Sequence, residues 1–244
     1  MLPLHISSRL LAAFGTLCLS IPASTVTGTI EVLPGSPQTP AHSRTIRSNL
    51  SDIVVWLQPV GAVPRMPVSS EHFRLLQKDK MFHPHVLAIR VGTIVDFPNA
   101  DPIFHNAFSN YDGQLFDVGL YPPGTTRSIR FRRPGIVRVF CNIHPAMSAV
   151  IVALDTPYFA NIHPDGRYQI SDVPPGSYEI HVFDERATRD PGSQELFNVE
   201  PNESQSVAPR IQLGEAGYVQ PPHKNKFGLD YPLDSTDSYS GLPR

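Results

Sequence analysis

The chain has 244 residues, 41 % of them hydrophobic, with 26 Pro and 16 Gly. That length allows one large or two small domains, and so much proline excludes a fold of long helices. The formal net charge of −2 carries no basic excess, so neither nucleic acid nor an anionic membrane surface is an expected partner.

Taken in order, the chain opens on the pattern of a secretory signal. Arg9 supplies the positive region, Leu10–Leu19 the apolar region, and Ile21-Pro22-Ala23 a cleavage site, which predicts a mature start near Ser24. The apolar run is too short to span a bilayer, and no other segment is long enough. A periplasmic or secreted location follows. Cys18 leaves with the signal, so Cys141 is expected to be a lone thiol in an oxidising compartment, without an intrachain disulfide.

Thr25–Val32 alternates as a half-buried strand, and Asp52–Pro59 is a second strand. The segments 33–51 and 60–72 read as loops. The densest β segment follows, with strands at Val86–Val91, Thr93–Phe97, Arg127–Phe131, Ile136–Phe140 and Ser148–Leu154. Turns at Gly92, Pro98-Asn99, Pro122-Pro123-Gly124 and Pro134-Gly135 punctuate it. Short strands at this spacing predict a sandwich or barrel. Beyond Thr156, Asp165–Ile170 reads as turn and strand, Ser177–Phe183 as a strand, and Val207–Leu213 as a last one. From Gly214 the chain is polar and aperiodic, which predicts an extended or disordered tail that packs, if at all, through Phe227 and Tyr231.

The chemistry concentrates between two of those strands. Cys141-Asn142-Ile143-His144-Pro145-Ala146-Met147 holds a thiolate, an imidazole and a thioether within seven residues. Two His, one Cys and a weak axial Met are the donors of a type 1 (blue) copper centre. His105, in Phe104-His105-Asn106-Ala107-Phe108, is the candidate for the missing imidazole.

Residues 82–154 resemble a cupredoxin. The resemblance rests on Phe82-x-Pro84, Val91-Gly92-Thr93-Ile94-Val95-Asp96-Phe97-x-Asn99, His105-Asn106, Pro123-Gly124, Pro134-Gly135 and the Cys-x2-His-x2-Met spacing. That last spacing is similar to amicyanin, whereas plastocyanin and pseudoazurin have a longer His-to-Met gap. The stretch also resembles exported proteins described as methylamine-utilisation or plastocyanin-like. The resemblance implies one copper ion on His105, Cys141, His144 and Met147, with His144 at the solvent edge. It also implies that Asn106 ties the two ligand loops by hydrogen bonds. Residues 156–183 resemble a carboxypeptidase-regulatory or transthyretin-like β-sandwich, through Asp165-Gly166-Arg167-Tyr168 and Val173-Pro174-Pro175-Gly176-Ser177-Tyr178.

The expected fold class is therefore all-β, a cupredoxin Greek-key β-sandwich plus a second small transthyretin-like β-sandwich. The expected boundaries are 1–23 for the signal peptide, 24–75 for the N-terminal strands and loop, 76–155 for the cupredoxin, 156–213 for the second sandwich and 214–244 for the tail. Segment 24–75 either opens the second sandwich, with the cupredoxin inserted into it, or belongs to the cupredoxin.

The expected function is one-electron transfer between redox partner proteins, without enzymatic turnover. Copper storage or delivery is an alternative, as is a cell-envelope interaction through the second sandwich. An enzyme would need a further copper with an open position. The remaining His72, His83, His85, His163, His181 and His223 are too scattered in sequence to build one. His83-Pro84-His85 is a single His-x-His pair and reads as a surface or strand-end feature. Arg127, Arg130, Arg132, Arg133 and Arg138 cluster in sequence, with Arg130 and Arg132 expected to face solvent.

Overall fold

The computed structural model describes residues 23–33, 50–61, 69–110, 113–187, 195–200, 203–215 and 223–231. Arg9, Leu10–Leu19 and Cys18 of the expected signal lie outside them. Every regular element among the described residues is a strand, and no helix there is long and apolar enough to cross a membrane.

In chain order the strands are β1 (Ser24–Leu33), β2 (Val54–Pro59), β3 (His72–Arg74), β4 (Leu76–Lys78), β5 (Met81–His83) and β6 (Val86–Arg90). Next come β7 (Ile94–Pro98), β8 (Phe108–Ser109), β9 (Phe116–Asp117), β10 (Thr126–Arg130), β11 (Gly135–Phe140) and β12 (Ser148–Leu154). The last six are β13 (Phe159–Asn161), β14 (Arg167–Val173), β15 (Gly176–Phe183), β16 (Glu195–Val199), β17 (Gln205–Val207) and β18 (Ile211–Gly214).

These strands build two sandwiches. In the first, a sheet in which β1 pairs with β14, β17 and β18 faces a sheet ordered β13-β2-β15-β16. The long β1 pairs parallel to β17 through Thr25–Thr27 and parallel to β18 through Ile30–Leu33. Val26, Ile30, Ile53, Val55, Leu57, Ile170, Ile180 and Val182 fill the space between the sheets. In the second sandwich, a sheet ordered β10-β7-β3 faces one ordered β6-β12-β11-β8-β9, with the β4–β5 hairpin alongside. The strands before and after residues 72–154 thus pair with one another: β2 lies between β13 and β15.

The two sandwiches share an apolar seam. Val86 and Ala88 of β6 and Val150, Val152 and Leu154 of β12 pack with Val54, Trp56, Phe159 and Phe183 from the first sandwich. This explains the unbroken apolar run of β12. Its Ala149, Ile151 and Ala153 face the second sandwich's core while Val150, Val152 and Leu154 face the seam, so neither side needs polar residues. At the margin of the seam the carboxylate of Glu185, 7 % exposed, accepts hydrogen bonds from His85 at 2.6 Å and Arg138 at 2.6 Å.

The structure departs from the sequence expectations in two places. The single strand expected over Val207–Leu213 is two, β17 and β18, with Ala208-Pro209-Arg210 between them; Pro209 has no N–H to continue the ladder. Strands β3, β4, β5, β8, β9 and β13 are two or three residues long, too short to display a period. β16 is longer, at five residues, but it too was not expected. Arg130 and Arg132 are exposed as expected, as are Arg127 and Arg133, while Arg138 pairs with Glu185.

Candidate metal centre

The candidate residues sit on loops at one end of the second sandwich, each held by main-chain bonds. His105 follows a loop from the end of β7 and makes an isolated bridge with Tyr121. Its N–H donates to the Tyr121 carbonyl at 3.2 Å, and the Tyr121 N–H donates back at 2.9 Å. Cys141 comes directly after β11. The loop it opens closes on itself, because the Cys141 N–H donates to the Met147 carbonyl at 3.1 Å and the Met147 N–H to the His144 carbonyl at 3.0 Å. Met147 then leads into β12.

The side chains converge. His105 Nδ1 lies 3.8 Å and His144 Nδ1 3.6 Å from Cys141 Sγ, and the three donor atoms all lie within 4.8 Å of one another. Among the described residues this is the one group of three or more His, Cys, Asp and Glu side chains placed to hold a metal. Donors on one first-row metal, at about 2.3 Å for sulfur and about 2.0 Å for nitrogen, stand about 3.5–3.7 Å apart at tetrahedral to trigonal angles. The observed spacings fit a shared ion. Met147 is fully buried in the same cluster as Cys141.

Burial grades the site. Cys141, His105 and Asn106 are wholly inaccessible, His144 is half-buried, and Pro145 and Ala146 beside it are exposed. Burial pushes the Cys141 thiol up, against the opposing backbone N–H groups of Ile143, Asn106 and His144. Without a cation the sulfur therefore keeps its proton; a bound metal would favour the thiolate. Burial also lowers the pKa of His105, against the pull of Asp101, so its ring is neutral, as a metal ligand must be.

Asp101 had no signal in the sequence, yet it fixes the orientation of His105. His105 Nε2 lies 2.7 Å from Asp101 Oδ2, which puts the ring proton on Nε2 and leaves the Nδ1 lone pair facing the sulfur. A carboxylate behind a ligating imidazole sets its tautomer and raises its basicity. Asp101 is itself clamped, accepting the Asp79 N–H at 2.7 Å and the Lys80 N–H at 2.9 Å. Burial raises its pKa, but those donors and His105 bring it below the usual carboxylate value. The β4–β5 turn thus supports the ligand from behind. No spacing rule links residues 79, 80, 101 and 105.

Two more supports were missed. The Tyr121 hydroxyl, fully buried, donates to Gln77 Oε1 at 2.7 Å and to the Phe97 carbonyl at 2.9 Å, and Gln77 Nε2 donates to the Asn106 carbonyl at 3.0 Å. The Asn106 side chain does not reach for the Cys141 loop. Its Nδ2 donates to Asp117 Oδ1 at 2.7 Å and to the Gly119 carbonyl at 2.9 Å, and its Oδ1 is buried without a partner. The link from Asn106 to the cysteine runs through its backbone N–H, because the Asp117 carboxylate draws the amide the other way.

Other described histidines have partners outside this trio. His72 pairs with Asp96 at 3.2 Å, His85 with Glu185, and His163 with Asp165 at 3.0 Å. His181 stacks on Trp56, and His223 stacks on Phe140 with ring centres 4.0 Å apart.

No family model matches the chain. Over 81 residues, 33 % of this chain and 71 % of the other protein, it is 32 % identical to the methylamine utilization protein MauL of Methylorubrum extorquens. Among solved structures, a purple cupredoxin from Nitrosopumilus maritimus matches with 22 % identity, covering 35 % of this chain and all of that one, at a TM-score of 0.32. A reduced amicyanin variant matches with 18 % identity over 36 % of this chain and 86 % of that one, at a TM-score of 0.33. A copper-containing nitrite reductase from Thermus scotoductus matches with 25 % identity over 52 % of this chain and 28 % of that one, at a TM-score of 0.33.

Proposed function

Because the chain belongs to the family of the methylamine utilization protein MauL, with a cupredoxin-like all-β fold, we propose that it is an exported type 1 copper protein that carries single electrons between redox partner proteins. The observation that carries this reading is the convergence of buried His105 and Cys141 with half-buried His144. One copper ion would be held by His105 Nδ1, Cys141 Sγ and His144 Nδ1, with the Met147 thioether as the weak fourth donor. Copper bound there would supply one-electron exchange between its two oxidation states.

The chain's own residues do the rest. The β-sandwich and the self-closing Cys141–Met147 turn fix the donors before any metal arrives, which keeps the ligand geometry nearly constant. Asp101 holds the His105 proton on Nε2. Cys141 lies wholly buried in the core cluster that includes Val139, Ala149, Phe97 and Tyr121, which keeps water from the sulfur. Half-buried His144, flanked by exposed Pro145 and Ala146, is the edge through which electrons would enter and leave. Such enclosure suits a carrier better than a delivery protein, whose metal must exchange. Nor does it offer the open position that enzymatic turnover needs.

In this reading residues 72–154 form a copper-binding unit inserted between β2 and β13 of the first sandwich, and the apolar seam makes the insertion rigid. Export rests on the Arg9 and Leu10–Leu19 pattern.

The test is the visible spectrum of the mature chain with one equivalent of Cu(II), beside Cys141→Ser. An intense thiolate-to-copper band, bleached by ascorbate and absent in the variant, is expected. A colourless protein would defeat the reading.

A further inference from the structure

Segment 223–231 lies against the candidate centre, 76 residues or more beyond Met147 in sequence. It has its own small architecture. Asn225 Oδ1 accepts the Phe227 N–H at 3.0 Å and the Leu229 N–H at 3.1 Å. The Gly228 N–H donates to the Asn225 carbonyl and the Asn225 N–H to the Leu229 carbonyl, each at 2.9 Å. Gly228 has φ +76, a turn conformation that side chains disfavour. Lys224 pairs with Asp230 at 3.0 Å. The segment is a folded knot rather than a trailing tail.

This knot holds the Cys141 loop directly and reaches the His105 loop through Asp117. The Tyr231 hydroxyl donates to the Cys141 carbonyl at 2.7 Å, and the Lys226 N–H donates to Asn142 Oδ1 at 2.9 Å. The Lys226 ammonium meets Asp117 Oδ2 at 2.7 Å, while Asp117 Oδ1 holds the side chain of Asn106, the neighbour of His105. The His223 ring is stacked on Phe140, which precedes Cys141, and Tyr231 meets that ring edge-on at 5.3 Å. Residues 105–106 and 141–142, which are 36 positions apart in the chain at His105 and Cys141, are thereby fastened to one common element.

We propose that residues 223–231 are a strap that positions the two ligand-bearing loops, with Tyr231 as a positioning residue for Cys141. The inference rests on the copper reading for its purpose but not for its geometry. A carbonyl bound to Tyr231 restrains the cysteine backbone directly, and Lys226 restrains the residue after it. A thiolate ligand whose backbone is pinned in this way cannot drift when the charge at the site changes.

The experiment uses the full chain with Tyr231→Phe, which keeps the ring and removes the hydroxyl, and separately Lys226→Ala, which removes the surface ion pair. In metal-free protein, the reaction of buried Cys141 with a thiol reagent and amide exchange over 140–148 report loop opening. Loss of one such hydrogen bond is expected to speed both by about 2–10-fold, with exchange in β15 unchanged. With one equivalent of Cu(II), Tyr231→Phe is expected to shift the thiolate-to-copper band.

Rates equal to wild type, or acceleration extending equally to β15, would overturn the strap. So would an unshifted band above a loosened loop, since the contact would then be merely structural. A loosened loop in a protein that takes up no copper would sustain the strap and remove the copper reading. Normal copper uptake with unaltered loop rates would do the reverse.

Discussion

The two sandwiches have cores of similar extent and opposite character. Between β1 and β2 the buried cluster is largely aliphatic, its polar members being the phenols of Tyr168 and Tyr178, with Ser24 and Ser206 buried on the same sheet. Tyr178 donates to the Pro174 carbonyl at 2.8 Å, and burial pushes the Tyr168 phenol up to about 12. Gly28 makes that core possible, because a Cβ there would strike the Tyr168 ring. Between β7 and β11 the core instead encloses Gln77, His105, Asn106, Tyr121, Cys141 and Met147 at 0 % exposure. Buried polar groups without partners cost about 1–3 kcal/mol each. A fold that encloses so many, and satisfies most of them through a linked network, has been shaped around something besides stability. The first core holds the molecule together, and the second holds a set of donors in place.

The largest effect that would sharpen this contrast comes from the aliphatic core. Ile180→Ala should lower unfolding stability by about 2–5 kcal/mol, read from urea unfolding, and leave the thiolate-to-copper band unchanged below the transition. A band that altered in the still-folded variant would show that the two cores are not separable in role. Next in size is a change behind the ligand. Asp101→Asn removes the charge that faces His105 Nε2 and should weaken copper binding about 10–100-fold, measured by chelator competition, with little change in the first sandwich. Unchanged affinity would mean that the Asp101 contact serves the β4–β5 turn alone.

The smallest effect concerns the junction between the regions. The hydrogen bond to Glu185 raises the pKa of His85 above its ordinary 6.5, against the opposing effect of burial. The protonated ring is favoured in the folded state, so its contribution to stability is complete below pH 6.5. It fades as pH rises through the raised folded value. Glu185→Gln should therefore flatten the dependence of unfolding stability on pH between about 6 and 8, while the copper band stays as it was. A slope that survives the substitution would assign it to another group.

How much of this was legible in the sequence follows the same division. Cys141, His144 and Met147 were visible because three donors fall on one turn between two strands, and His105 because copper needs a second imidazole. Long strands were plain, β1 and β15 from their alternation and β12 from its unbroken apolar run. What stayed hidden depends on contacts remote in sequence. Nothing local says that Thr25 will pair with Gln205 and Ile30 with Ile211, or that the turn at Asp79-Lys80 will bind Asp101. The tail offered Phe227 and Tyr231 as packing residues, but Phe227 is exposed, and nothing local said that Tyr231 would reach the Cys141 carbonyl, since one hydrogen bond leaves no pattern in composition. Asn106 was singled out for the right neighbourhood, but the direction of its amide is set by Asp117, eleven residues on.

We propose that one copper ion sits among His105, Cys141, His144 and Met147. Anomalous scattering at the copper edge from crystals of the copper-loaded chain tests it most directly. A single strong peak is expected within bonding distance of His105 Nδ1, Cys141 Sγ and His144 Nδ1, with the Met147 sulfur farther off. A peak at any other cluster of histidines, or no peak in crystals that contain stoichiometric copper, would contradict it.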